Sequence, residues 1–159
     1  MTFLNLDSTH VGDAGASALA AALDRGALPR LRFLTLNSAA IGDAGLVALA
    51  PALLRLPALE KLYLYHNPVG DEGLAALVAP PPPAGTPLLP AGGLKKLEVL
   101  DLDGTQITDA GCAALAAALN SGALPALETL DLDGIVPASD AAIVTVHEAL
   151  AKSRAAALS

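Results

Sequence analysis

Between Leu97 and Leu119 the apolar positions change period. Leu100 and Leu102 alternate with polar neighbours, whereas Cys112, Leu115, Ala116 and Leu119 recur at helical spacing. A period of two marks a strand with one buried face, and a period near 3.6 marks a helix with one buried stripe. A strand followed at once by a helix cannot bury both apolar faces alone, so the unit needs copies of itself on either side.

The chain supplies them. The second leucine of the unit recurs at Leu4, Leu34, Leu62, Leu100 and Leu130, and the third at Leu6, Leu36, Leu64, Leu102 and Leu132. The next apolar position reads Val11, Ile41, Val69 and Ile107, then breaks to Pro137. Each helix opens on a near-identical tetrad: Gly12-Asp13-Ala14-Gly15, Gly42-Asp43-Ala44-Gly45, Gly70-Asp71-Glu72-Gly73 and Thr108-Asp109-Ala110-Gly111. Strands are expected near 3–6, 33–36, 61–64, 99–102 and 129–132, parallel in one curved sheet, each followed by a helix. Asp13 is expected to accept hydrogen bonds at the start of its own helix, 13–23. Pro51 should kink or shorten the second helix. Ser139 or Asp140 can cap the last one, expected to run to about Lys152.

These repeats resemble the leucine-rich repeats of the ribonuclease-inhibitor type, also found in NOD-like receptors and Ran GTPase-activating proteins. The resemblance implies an α/β solenoid, a horseshoe arc of about five repeats with strands on the concave face and helices on the convex face. It implies one domain, 1–159, with repeats at about 1–30, 31–58, 59–96, 97–126 and 127–159. It also implies an asparagine ladder between repeats. Only Asn67 supplies it, against Thr9, Ala39, Thr105 and Ile135, so gaps are expected. A Pro-rich insertion, 80–93, lengthens the third repeat; as a docking site for a proline-recognising module it is weighed against a tolerated loop, and the loop is favoured. The degenerate fifth repeat reads as a C-terminal cap or a fraying end, and the uncovered first strand suggests a piece of a longer array.

Composition narrows the function. Hydrophobic residues make up 53% of the chain, with two Phe, two Tyr and no Trp, which suits a stacked Leu/Ala core rather than an aromatic centre. A formal net charge of −7 argues against nucleic acid and favours a neutral or basic protein partner. A single cysteine, Cys112, excludes an internal disulfide, and a cytoplasmic, reducing compartment is expected. Neither a signal peptide nor a membrane-spanning run is read from the sequence.

The outward strand residues define the candidate site. Parallel strands lie about 4.8 Å apart, so Asp101 should flank Asp131 and Asp103 should flank Asp133. Tyr63, Tyr65 and His66 sit beside this acidic patch. Rings next to carboxylates suit a basic, partly apolar ligand, although a solvated face that keeps the protein soluble explains the aspartates equally well. Cys112 aligns with core positions; His10 and His147 lack ligand-spaced neighbours; no metal or cofactor site, nucleophile elbow or phosphate loop is present in the pattern. The expected function is a non-enzymatic scaffold that binds a protein or peptide through Tyr63, Tyr65, His66, Asp101, Asp103, Asp131 and Asp133. The alternatives are a GTPase-activating fragment of the Ran regulator type, whose catalytic segment is not found, and a module that self-associates through its open ends.

Overall fold

The computed structural model describes residues 2–56, 58–78, 94–120, 124–135 and 138–158. Five three-residue strands alternate with five helices: β1 Phe3–Asn5, α1 Gly12–Asp24, β2 Phe33–Thr35, α2 Asp43–Leu53, β3 Lys61–Tyr63, α3 Asp71–Leu77, β4 Val99–Asp101, α4 Asp109–Asn120, β5 Thr129–Asp131 and α5 Asp140–Leu158. The strands form one parallel sheet in chain order, and the helices pack in the same order along one side. Helices are about 10 Å across whereas strands stack at about 4.8 Å. The array therefore curves with its strands on the inner, concave face.

Register follows the leucine columns. Leu4, Leu34, Leu62, Leu100 and Leu130 pair in one row. Leu34, Leu62 and Leu100 are fully buried, Leu4 at the first edge only partly. Parallel hydrogen bonding continues past the short strands: the N–H groups of Ser8, Ser38, His66 and Gly104 donate to the carbonyls of Asn37, Tyr65, Asp103 and Asp133. The residues just beyond each strand are thus held as firmly as the strands themselves.

Asn67 is the ladder residue the pattern implies. Its Oδ1 accepts from the N–H groups of Ala39 and Ile41, both at 3.1 Å, and its Nδ2 donates to the carbonyls of Leu36 and Leu64. The side chain is 1% exposed and joins the second repeat to the third. Thr9 and Thr105 turn their hydroxyls back on Leu6 and Leu102 of their own repeats, so they bridge nothing.

A second linkage corrects the expectation for Asp13. Its carboxylate does not cap α1; Oδ1 accepts from Gly42 N–H at 2.7 Å and Gly45 N–H at 3.0 Å, at the start of α2. Asp43 does the same for Gly70 and Gly73 of the third repeat, both at 2.8 Å. Asp71 accepts from the N–H and hydroxyl of Thr108, and Asp109 from the N–H of Ser139. The starts of α2, α3, α4 and α5 are therefore each capped by the preceding repeat. The third-position glycine makes room for it: a Cβ on Gly45 would lie 2.5 Å from Asp13 Oδ1, and one on Gly111 2.2 Å from Asp71 Oδ1. In the fifth repeat the matching third helical position is Ala142, and its N–H donates to Ser139 Oγ.

Two helix boundaries depart from expectation. α2 continues through Pro51, which lies on the exposed side, and ends two residues later. α5 runs to Leu158 rather than about Lys152, because the alanine-rich tail after Arg154 favours helix and contains no Gly or Pro. The Pro-rich stretch 80–93 lies outside the described residues. Among the described residues no helix is long and apolar enough to cross a membrane.

Candidate functional site

The pleat places alternate residues of each strand on the concave face. One row reads Asn5, Thr35, Tyr63, Asp101 and Asp131, with Tyr63 opposite Asp101 and Asp101 opposite Asp131. Two residues further along lie Asp7, Asn37, Tyr65, Asp103 and Asp133. The expected juxtaposition of four aspartates on β4, β5 and the turns that follow is therefore present.

Two of them, Asp101 and Asp103, sit where ionisation is disfavoured. Burial pushes the carboxyl of Asp101 above its ordinary value; its hydrogen bond from Asp103 N–H opposes the shift, and repulsion from Asp103, Asp131 and Asp133 adds to it. Asp103 is raised for the same leading reason, with repulsion from Asp131 and Asp133 set against a hydrogen bond from Asp133 N–H and attraction to His66. Desolvated like charges in neighbouring strands weaken the fold. A cationic group placed among them relieves that repulsion. Among the described residues no cluster of three or more His, Cys, Asp or Glu is arranged to hold a metal ion.

The aromatic half of the site sits on β3 and its turn. Tyr65 and His66 stack with ring centroids 3.9 Å apart, Tyr65 is exposed, and Tyr63 is half-buried. His66 takes a left-handed backbone with φ of 56°, where the fourth repeat has Gly104. Its ring lies over that glycine, since a Cβ there would fall 2.1 Å from His66 Cδ2. The missing side chain of Gly104 thus lets His66 lie beside Asp103.

Three features of this face escaped the sequence reading. Asp103 belongs to a hydrogen-bonded column: Asp7 Oδ1 accepts from Asn37 N–H at 2.8 Å, Asn37 Oδ1 from Tyr65 N–H at 2.8 Å, and Asp103 Oδ1 from Asp133 N–H at 2.7 Å. Recurrent Asp or Asn at one position was the available signal, and Tyr65 interrupts it. Next, Phe3 and Phe33 meet edge to face at 6.4 Å, with Phe3 half exposed. Arg32 and Lys61 lie over the Phe33 ring at 5.3 and 5.1 Å, and Arg32 also pairs with Glu60 at 2.8 Å. Finally, Thr35 is 8% exposed and its hydroxyl has no hydrogen-bond partner among the described residues.

Cys112 is buried beneath α4, and burial, with Asp109 and Asp71 adding, pushes its thiol up, away from the reactive thiolate. His10 and His147 are exposed and lie apart from the acidic patch.

Comparison with known proteins bears on the fold. The family described as Leucine Rich repeat matches residues 1–20, 28–50, 56–78 and 93–116, together more than half of the chain. No curated protein matches the sequence. Among solved structures, the actin-binding site 2 domain of leiomodin-1 superposes with a TM-score of 0.70 at 15% identity, covering 96% of this chain and 80% of that one. The tropomodulin C-terminal domain of Caenorhabditis elegans superposes with a TM-score of 0.65 at 17% identity, covering 96% and 84%.

Proposed function

The chain belongs to the leucine-rich repeat family, and from that premise we propose that it is a non-enzymatic module whose concave strand face binds a protein or peptide of neutral or basic character. The observation that carries this reading is the pair Asp101 and Asp103. Both carboxyls are held where burial and repulsion disfavour their charge, on a face that also exposes Tyr65. A face selected only for solubility would keep its charges in water and apart. Tyr63, Tyr65, His66, Asp101, Asp103, Asp131 and Asp133 form the proposed site, within a single domain spanning 1–159.

The resemblance to the leiomodin and tropomodulin domains supports the fold. Leiomodin-1's domain is an actin-binding site; for this chain the partner is argued from its own residues. Cys112 is the chain's one cysteine and is buried, so no internal disulfide forms, which fits a reducing compartment such as the cytoplasm.

The test is one variant carrying Asn at all four aspartates, measured for stability and for partner capture together. Asparagine keeps the Oδ1 acceptors that Asp101 and Asp103 use, so stability should hold or rise. Capture of a basic partner should weaken and lose its salt dependence, and Tyr63→Ala should weaken it independently. Recovery of the same partners by wild type and both variants would remove the concave face from consideration.

A further inference from the structure

The concave face is polarised along the solenoid. At β1 and β2 the exposed ring of Phe3 meets Phe33. At β4 and β5 stand the four aspartates. Between them Lys61 makes no ion pair among the described residues; its ammonium rests on the Phe33 ring at 5.1 Å, beside Arg32.

Resting on the reading that this face is the binding surface, we propose that its occupant is an extended peptide segment with two anchors: an apolar side chain on Phe3 and Phe33, and Lys or Arg on the aspartates four or five residues away. Charge sets the direction. Lys61 repels cationic residues from the aromatic end, where Glu60 neutralises Arg32, while the four clustered carboxylates draw them to the other. Geometry sets the spacing. From the β1–β2 pair to the β4–β5 pair is three strand steps, about 14 Å, and the nearer aspartates, Asp101 and Asp131, are offset from Phe3 and Phe33 by two residues, which gives roughly 16 Å in all. An extended chain covers about 3.3 Å per residue, hence four or five residues.

The experiment titrates the full chain with fluorescent synthetic peptides. Each carries one Phe and an Arg-Arg pair, separated by a serine spacer lengthened stepwise from one residue to eight. Affinity should peak with three or four serines. Phe3→Ser should weaken the best peptide about tenfold and flatten the optimum, as loss of one anchor requires. Asp101→Asn should weaken it about three- to tenfold, by removing one carboxylate from the cationic anchor, without lowering the melting temperature. Affinity that ignores spacing, or that both variants leave unchanged, would overturn the two-anchor arrangement. If partner capture is nevertheless lost in the four-asparagine variant, the concave face remains the binding surface and only its occupant is misread. If that variant keeps its partners and the peptides ignore spacing, both conclusions fall.

Discussion

Replacing Asp43 tests how the repeats are joined. Asp43 sits in the first turn of α2, yet its Oδ1 accepts from Gly70 and Gly73 at the start of the third repeat's helix, both at 2.8 Å. Both glycines are buried and the carboxylate is half-buried, so water replaces it poorly. Loss of a helix cap costs about 0.5–2 kcal/mol, and a hydrogen bond to a charged group about 1.5–3. Because the two bonds share one oxygen, Asp43→Ala should cost about 2–3 kcal/mol, roughly 5–10 °C of melting temperature for a chain of this size. Asp43→Asn retains the acceptor without the charge and should cost about half as much. The discriminating readout is amide hydrogen exchange in the alanine variant. Gly70 and Gly73 should lose protection while the first amides of α2 keep theirs. Loss of protection in α2 instead, or a stability change below about 0.5 kcal/mol, would refute the linkage and restore the simple cap.

Other consequences follow from the same geometry. Leu102→Ala removes a fully buried side chain packed between repeats and should lower stability by about 2–5 kcal/mol in chemical denaturation. Asn67→Ala strands two N–H groups and two carbonyls in a 1% exposed position and should cost about 3–5 kcal/mol; a loss under about 1 kcal/mol would mean the ladder bonds are replaced by water. The raised carboxyls of Asp101 and Asp103 bind protons more tightly in the folded than in the unfolded chain. Their stabilising effect is therefore fully present below the ordinary carboxylate value and is lost as pH rises from there through the raised folded one. The Asp101→Asn, Asp103→Asn double variant should accordingly be more stable than wild type at pH 7, with the gap closing in acid; a gap independent of pH would contradict the assignment.

The architecture was legible in the sequence because its causes are local and repeated. A period of two at Leu100 and Leu102, then a helical period from Cys112 to Leu119, specifies strand and helix without reference to anything distant. Five aligned copies then specify parallel stacking, since only neighbours in register bury Leu34, Leu62 and Leu100 together. Alternation likewise placed Tyr63, Asp101 and Asp131 on one face, and the register that set them side by side follows from the leucine columns. What tertiary structure alone decided are the contacts between residues about thirty positions apart. Asp13 at a helix start reads as that helix's own cap; that it reaches the next repeat depends on the offset between stacked helices. Asp103 reads as a free surface charge, although stacking engages it with the following repeat's backbone. Phe3 and Phe33 were visible as outward residues, but their meeting, and the seating of Lys61 and Arg32 on one ring, required the side chains in place. Burial of the Thr35 hydroxyl is likewise visible only in the assembled fold.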